Sequence, residues 1–91
     1  LIVFTSDNGG LYGITQQRPL RGGKGTYYEG GIRVPFAFVW PGEIAPMSIE
    51  KTRITNLDLF PTVLTAAGID LKNMPYDGDN LLSLDFNTDK E

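Results

Sequence analysis

Neither cysteine nor histidine occurs anywhere in the chain. The first absence excludes a disulfide scaffold, thiolate metal ligation and cysteine nucleophily within these residues. The second removes the commonest general base and the commonest zinc ligand. Positive charge is also scarce. Eight Lys and Arg stand against eleven Asp and Glu, for a formal charge of -3, and none of the basic residues gather into the track that nucleic-acid binding requires. No apolar run approaches the about 20 residues of a membrane helix, and no signal-peptide pattern is present.

What remains is a composition suited to folding. Apolar residues make up 41% of the 91 and charged residues 21%, a balance typical of globular chains rather than disordered ones. A chain of this length buries only about 60 to 65% of the surface exposed on unfolding, so the expected core is thin. The opening directly on Leu1-Ile2-Val3-Phe4, and the close from Leu84 to Glu91 without an evident final element, lead to the expectation that these residues belong to a larger α/β structure.

Leu1–Thr5 is apolar and β-branched without polar alternation, which predicts a strand covered on both faces of a parallel sheet. A loop rich in Gly, Gln, Arg and Tyr follows from Leu11 to Gly31, and Ile32–Trp40 reads as a second strand with Pro35 near its start. Pro41-Gly42-Glu43 turns the chain, and Lys51–Thr55 is a third short extended candidate. The clearest helix begins at Asp58, read as its N-cap, with Pro61 in the first turn. Phe60, Leu64 and Ala67 are expected to share its buried face, and Gly68 to end it. Leu81–Leu84 could pack as a brief strand or a helical turn. Two strands and one good helix do not complete a covered sheet, so a further layer is expected from sequence outside these residues.

Chemistry concentrates on glycine-rich bends. Asp7 and Asn8 stand where the first strand gives way to Gly9-Gly10, and ligand sites of open α/β sheets gather beyond the carboxyl ends of strands. A carboxylate with an amide oxygen suits a hard cation, calcium or magnesium, but calcium takes about six to eight oxygen ligands and two cannot suffice. The competing reading is a plain hairpin turn at Asn8-Gly9 joining Leu1–Thr5 to Leu11–Thr15.

Lys24 lies among Gly22, Gly23 and Gly25, so little bulk blocks an anion from its ammonium. The stretch is no P-loop, which asks for Ser or Thr directly after the lysine, where Gly25 stands. A point charge for a sulfate or phosphate oxygen is one reading; a solvated surface lysine is the other. Arg21 could orient an anion or pair with Glu29. Glu29 and Arg33 are expected to form an internal ion pair that shapes the loop. Asp77 and Asp79 lack the later spacing of a calcium loop and read as turn residues.

Taken in order, Ser6-Asp7-Asn8-Gly9, Pro19–Thr26, Glu29–Pro35, Trp40-Pro41-Gly42, Asp58-Leu59-Phe60-Pro61-Thr62, Ala67-Gly68 and Asp77-Gly78 resemble the sulfatase family of the alkaline-phosphatase-like superfamily. The resemblance covers nearly the whole chain. It implies the α/β/α sandwich of that superfamily, incomplete in these residues, with residues 1–91 forming the later part of the catalytic domain.

The resemblance further implies that Asp7 and Asn8 are the second pair of ligands to an active-site cation, calcium or alternatively magnesium. Lys24, with Arg21, would contact the sulfate of the substrate. Family members attack sulfur with a formylglycine made from Cys or Ser in a Cys/Ser-x-Pro-x-Arg signature, which this chain lacks. The first aspartate pair of the cation site and the accompanying histidines are missing too. The expectation is therefore a sulfatase whose parent hydrolyses a sulfate ester, of a sulfated carbohydrate or an aryl alcohol, while these residues alone are inactive and partnered by the rest of the catalytic domain. A phosphoesterase or phosphonate hydrolase of the same superfamily is the alternative enzyme, and a non-catalytic binding or structural module the alternative outside enzymes. Compartment stays open, the family resemblance bringing periplasmic, secreted and lysosomal-type settings.

Overall fold

A computed structural model describes residues 1–49 and 51–84, so any expectation for the stretch after Leu84 lies outside the described residues. The chain divides into two compact units, Ile2–Val39 and the part from Trp40 onward.

In the first unit, β1 (Ile2–Thr5) pairs with β2 (Phe36–Val39), and a single helical turn, α1 (Glu29–Ile32), precedes β2. The pairing is antiparallel, Ile2 opposite Val39 and Thr5 opposite Phe36, which corrects the expectation of a parallel neighbour. The reason lies in the intervening loop. Gly9 N–H donates to the Gly31 carbonyl at 2.8 Å, returning the chain to the end of β1 from which it left. A strand that starts there can only run back alongside. The second strand is also shorter than expected, because Glu29–Ile32 closes as a helical turn with Arg33 N–H on the Glu29 carbonyl at 2.7 Å.

The unbroken apolar run of β1 has its own explanation. Val3 and Thr5, with Phe36 and Phe38 opposite, form one half-buried face, on which the two phenyl rings meet edge to face at 4.9 Å. Ile2, Phe4 and Val39 lie on the other face, exposed at 65%, 65% and 51%. Both faces are apolar, and among the described residues only one is half covered.

The second unit is organised by α2 (Leu59–Ala66), entered through a 3-10 turn over Asn56–Asp58 and met by a second 3-10 turn over Leu81–Ser83. Asp58 does not cap the helix as expected; it sits in helical conformation, and its carboxylate accepts from Thr55 N–H at 2.6 Å. Thr55 is thus the residue outside the turn. This also explains why Lys51–Thr55 forms no strand: its last amide is committed to a cap rather than a ladder.

The other oxygen of Asp58 accepts from Asp79 N–H at 2.8 Å, drawing the acidic turn onto the start of the helix. Gly78 has φ 90°, and a Cβ there would press within 3 Å of Leu57 and Asp58 main-chain atoms. Asp77 and Asp79 are turn residues, as their spacing suggests. Thr62 completes the clasp, its hydroxyl donating to the Asp58 carbonyl at 2.6 Å and accepting from Leu81 N–H at 2.8 Å.

The side of α2 that is buried therefore carries Pro61 and Thr62, joined by Leu81, and not the expected Phe60, Leu64 and Ala67 stripe. Ala67 is exposed, and Phe60, half exposed, leans on the Tyr76 ring at 6.4 Å. The helix does end at Gly68, with φ 79°. Gly68 N–H reaches the Thr65 carbonyl at 2.9 Å and Ile69 N–H the Leu64 carbonyl at 3.0 Å, the two bonds of a Schellman motif.

Replacing Thr62 by the isosteric valine leaves the buried Leu81 N–H without its acceptor and should lower stability by about 1 to 3 kcal/mol. Thr62→Ser should recover most of that loss. Denaturant unfolding of the intact protein checks both; equal midpoints for the valine and serine variants would contradict this account of the clasp.

Candidate functional site

The site is built within the first unit, from three glycine pairs. Gly9-Gly10 ends the bend after β1, Gly22-Gly23 precedes Lys24, and Gly30-Gly31 lies in α1. Main chain meets main chain among them. Gly9 N–H donates to Gly31, Gly30 N–H to the Arg21 carbonyl at 2.7 Å, and Lys24 N–H to the Gly10 carbonyl at 2.9 Å. A Cβ on Gly9 would overlap the Gly30 carbonyl, one on Gly30 the Gly22 carbonyl, and one on Gly31 the Thr26 carbonyl. Only residues without side chains let the three segments approach this closely.

This interlock joins the Asp7-Asn8 bend to the Lys24 bend through one hydrogen bond between their backbones. It also removes the hairpin reading of Asn8-Gly9, because β1 pairs with β2 while Leu11–Thr15 curls on itself, Thr15 N–H meeting the Leu11 carbonyl at 3.0 Å.

Around the first bend, Ser6 Oγ donates to the Asn8 carbonyl at 2.9 Å and Asn8 Nδ2 donates to the Gly9 carbonyl at 3.0 Å. With its amide nitrogen engaged by its own backbone, Asn8 has its Oδ1 left for another partner. Asp7 is exposed, and its carboxylate makes no hydrogen bond or ion pair among the described residues. One carboxylate and one amide oxygen on adjacent residues fit a hard cation by donor type. They do not complete a shell: no group of three or more Asp or Glu side chains gathers among the described residues.

Lys24 stands at the apex of a turn over Gly23–Thr26, closed by Thr26 N–H on the Gly23 carbonyl at 3.0 Å. Gly25, with φ 86°, takes the position at which a type II turn requires positive φ. The Lys24 side chain is exposed and has no carboxylate partner among the described residues. Arg21 does not pair with Glu29. Its guanidinium lies 4.0 Å over the Tyr28 ring, a stacking that holds the plane while leaving its donors unused. Glu29 bonds Arg33 instead, at 3.2 Å, with both side chains more than half exposed, so the pair exists but is a surface contact rather than an internal one.

Two contributors escaped sequence reasoning. Tyr28, seven residues after Arg21, carries no spacing signal for stacking. Thr26 had one: a hydroxyl directly after a glycine-rich turn is a common partner for the turn's backbone.

Gly30→Ala should reduce stability by about 2 to 3 kcal/mol, since the added carbon strikes main-chain atoms that cannot move independently. Arg33→Ala should change it by only about 0.2 to 0.5 kcal/mol. Unfolding midpoints of the intact protein compare the two, and a similar cost for both would refute the interlock as the source of rigidity.

Comparison with known proteins bears on the family of the chain. The family model described as Sulfatase matches residues 1–69. A protein named sulfatase from Formosa agariphila is 44% identical over 92% of this chain, which corresponds to 16% of the relative's length. Human arylsulfatase A is 41% identical over 99% of the chain and 18% of its own length. Human N-acetylglucosamine-6-sulfatase is 41% identical over 91% and 14%. The chain thus spans less than a fifth of each of these curated relatives. No solved structure matches it. The glycine-framed bends and the match across both of them identify this chain as a member of the sulfatase family.

Proposed function

We propose that these residues form the cation-binding and anion-contacting part of a sulfuric ester hydrolase, with Asp7 and Asn8 as two of the cation ligands and Lys24 as the contact to the sulfate. The observation that carries the proposal is the Lys24 N–H to Gly10 carbonyl bond, which fixes the lysine-bearing turn against the bend that bears the two oxygen ligands. Oxygen donors on one bend and a positive charge on the next suit a substrate that is itself an anion held beside a cation.

Lys24 offsets the negative charge that builds on the ester as the S–O bond breaks. Arg21, its plane held by Tyr28, offers a second set of donors to sulfate oxygens. Asp7 and Asn8 would hold calcium, or magnesium, which when bound supplies Lewis-acid polarisation of the sulfate oxygens. The nucleophile, a formylglycine by family resemblance, would come from elsewhere in the parent, as would the remaining ligands. The substrate is a sulfate ester of a carbohydrate or an aryl alcohol, in line with the names of the relatives.

With the intact protein, an aryl sulfate should be hydrolysed faster than the matching aryl phosphate, and a preference for phosphate would move the assignment to a phosphoesterase. Lys24→Ala should reduce kcat/KM for the sulfate by roughly 100- to 1,000-fold, the loss typical of one charge-stabilising donor. Chelation of divalent cations should abolish turnover, with calcium restoring it in the parent and far less in Asp7→Ala. Unchanged activity after chelation would end the cation reading of Asp7 and Asn8.

A further inference from the structure

Lys24 is held on a stretch whose composition should leave it loose. Gly22, Gly23 and Gly25 surround it, and glycine carries more backbone freedom than any other residue. Its side chain has no ion-pair partner among the described residues to hold it. Backbone contacts set the place of its turn, and two of the four run through one side chain. Thr26 Oγ1 accepts from Gly23 N–H at 3.2 Å and donates to the Gly23 carbonyl at 2.8 Å. The Thr26 N–H joins the same carbonyl at 3.0 Å. Both polar groups of Gly23 are thus engaged by Thr26, and the opposite side of the turn is tied by Lys24 N–H on Gly10.

The hydroxyl fits its surroundings closely. A Cβ on Gly22 would overlap Thr26 Oγ1, and one on Gly31 would come within 2.8 Å of it. Glycines at these positions leave room for the hydroxyl to reach the turn.

We infer that Thr26 is a positioning residue for Lys24, its hydroxyl clamping Gly23 so that the lysine-bearing turn keeps one conformation against the Gly10 carbonyl. The inference rests on the proposed role of Lys24 as the sulfate contact. Thr26 acts through the turn, so its removal displaces the ammonium without removing the charge. A displacement of about 1 Å can cost up to roughly 100-fold in rate.

The test is a double-mutant cycle in the intact protein with an aryl sulfate, read as kcat/KM and as the inhibition constant of inorganic sulfate. Thr26→Val, of the same shape but without the hydroxyl, should lower kcat/KM by roughly 10- to 100-fold and weaken sulfate inhibition. Thr26→Ser should stay within roughly fourfold of the parent, the effect of one methyl group. In a Lys24→Ala background, Thr26→Val should cost less than about twofold more, because residues acting as one unit are not additive.

Equal loss from Thr26→Val with and without Lys24 would overturn the inference, since a general structural role lowers both backgrounds alike, while leaving the role of Lys24 intact. Parent-like activity in Thr26→Val would also overturn it. Full activity in Lys24→Ala would remove the proposed lysine contact and the inference with it. Should Thr26→Val fail to fold, Thr26→Ala runs the same cycle with the same outcomes.

Discussion

Close approach of backbone to backbone at Gly9, Gly23, Gly30 and Gly31 is the constraint from which the first unit follows. Without a β-carbon at these places, the loop after β1 can return to Gly9 and offer the Gly31 carbonyl, and β2 can begin beside Thr5. The antiparallel ribbon, the position of α1 and the seat of Lys24 are consequences of that return. Hydrogen bonding alone would not produce them, because any side chain at those glycines would hold the segments apart before the bonds could form.

The same constraint separates frame from chemistry. The frame is main chain, satisfied within itself, while Asp7, Lys24 and the donors of Arg21 have no neutralising partner among the described residues. A charge already paired within the protein would have to break that pair to meet a ligand. Left unpaired, these groups would meet the anion and cation of the proposed function directly. The second unit uses the opposite arrangement. There Asp58 is buried and both its oxygens are committed to backbone amides, so its carboxylate serves architecture and is closed to ligands.

Much of this was legible in the sequence, and the misreadings have physical causes. Gly68 announced the end of α2, and Asp77-Gly78-Asp79 announced a turn, because each depends on local backbone rules. The family was legible because short motifs from Ser6-Asp7-Asn8-Gly9 to Asp77-Gly78 follow one another in an order that resembles it across nearly the whole chain. The partner of β1 was misread since an apolar run without alternation signals two apolar faces, and the direction of the neighbouring strand depends on a contact between Gly9 and Gly31 across the loop. Asp58 reads as a cap because acidic residues before a helix usually are caps; its burial depends on Asp79, which local sequence does not bring near. The buried face of α2 was misassigned for the same reason: helical periodicity favours Phe60, Leu64 and Ala67, whereas the returning turn covers Pro61 and Thr62.

The ribbon's uncovered face carries a practical consequence. With Ile2, Phe4 and Val39 open to water on one face of a two-stranded ribbon, an isolated preparation of this segment would lower its free energy by stacking such faces against one another. Self-association would then compete with any measurement of ion uptake. Binding work on the proposed cation and anion contacts accordingly calls for a parallel check of association state, by dilution or sedimentation.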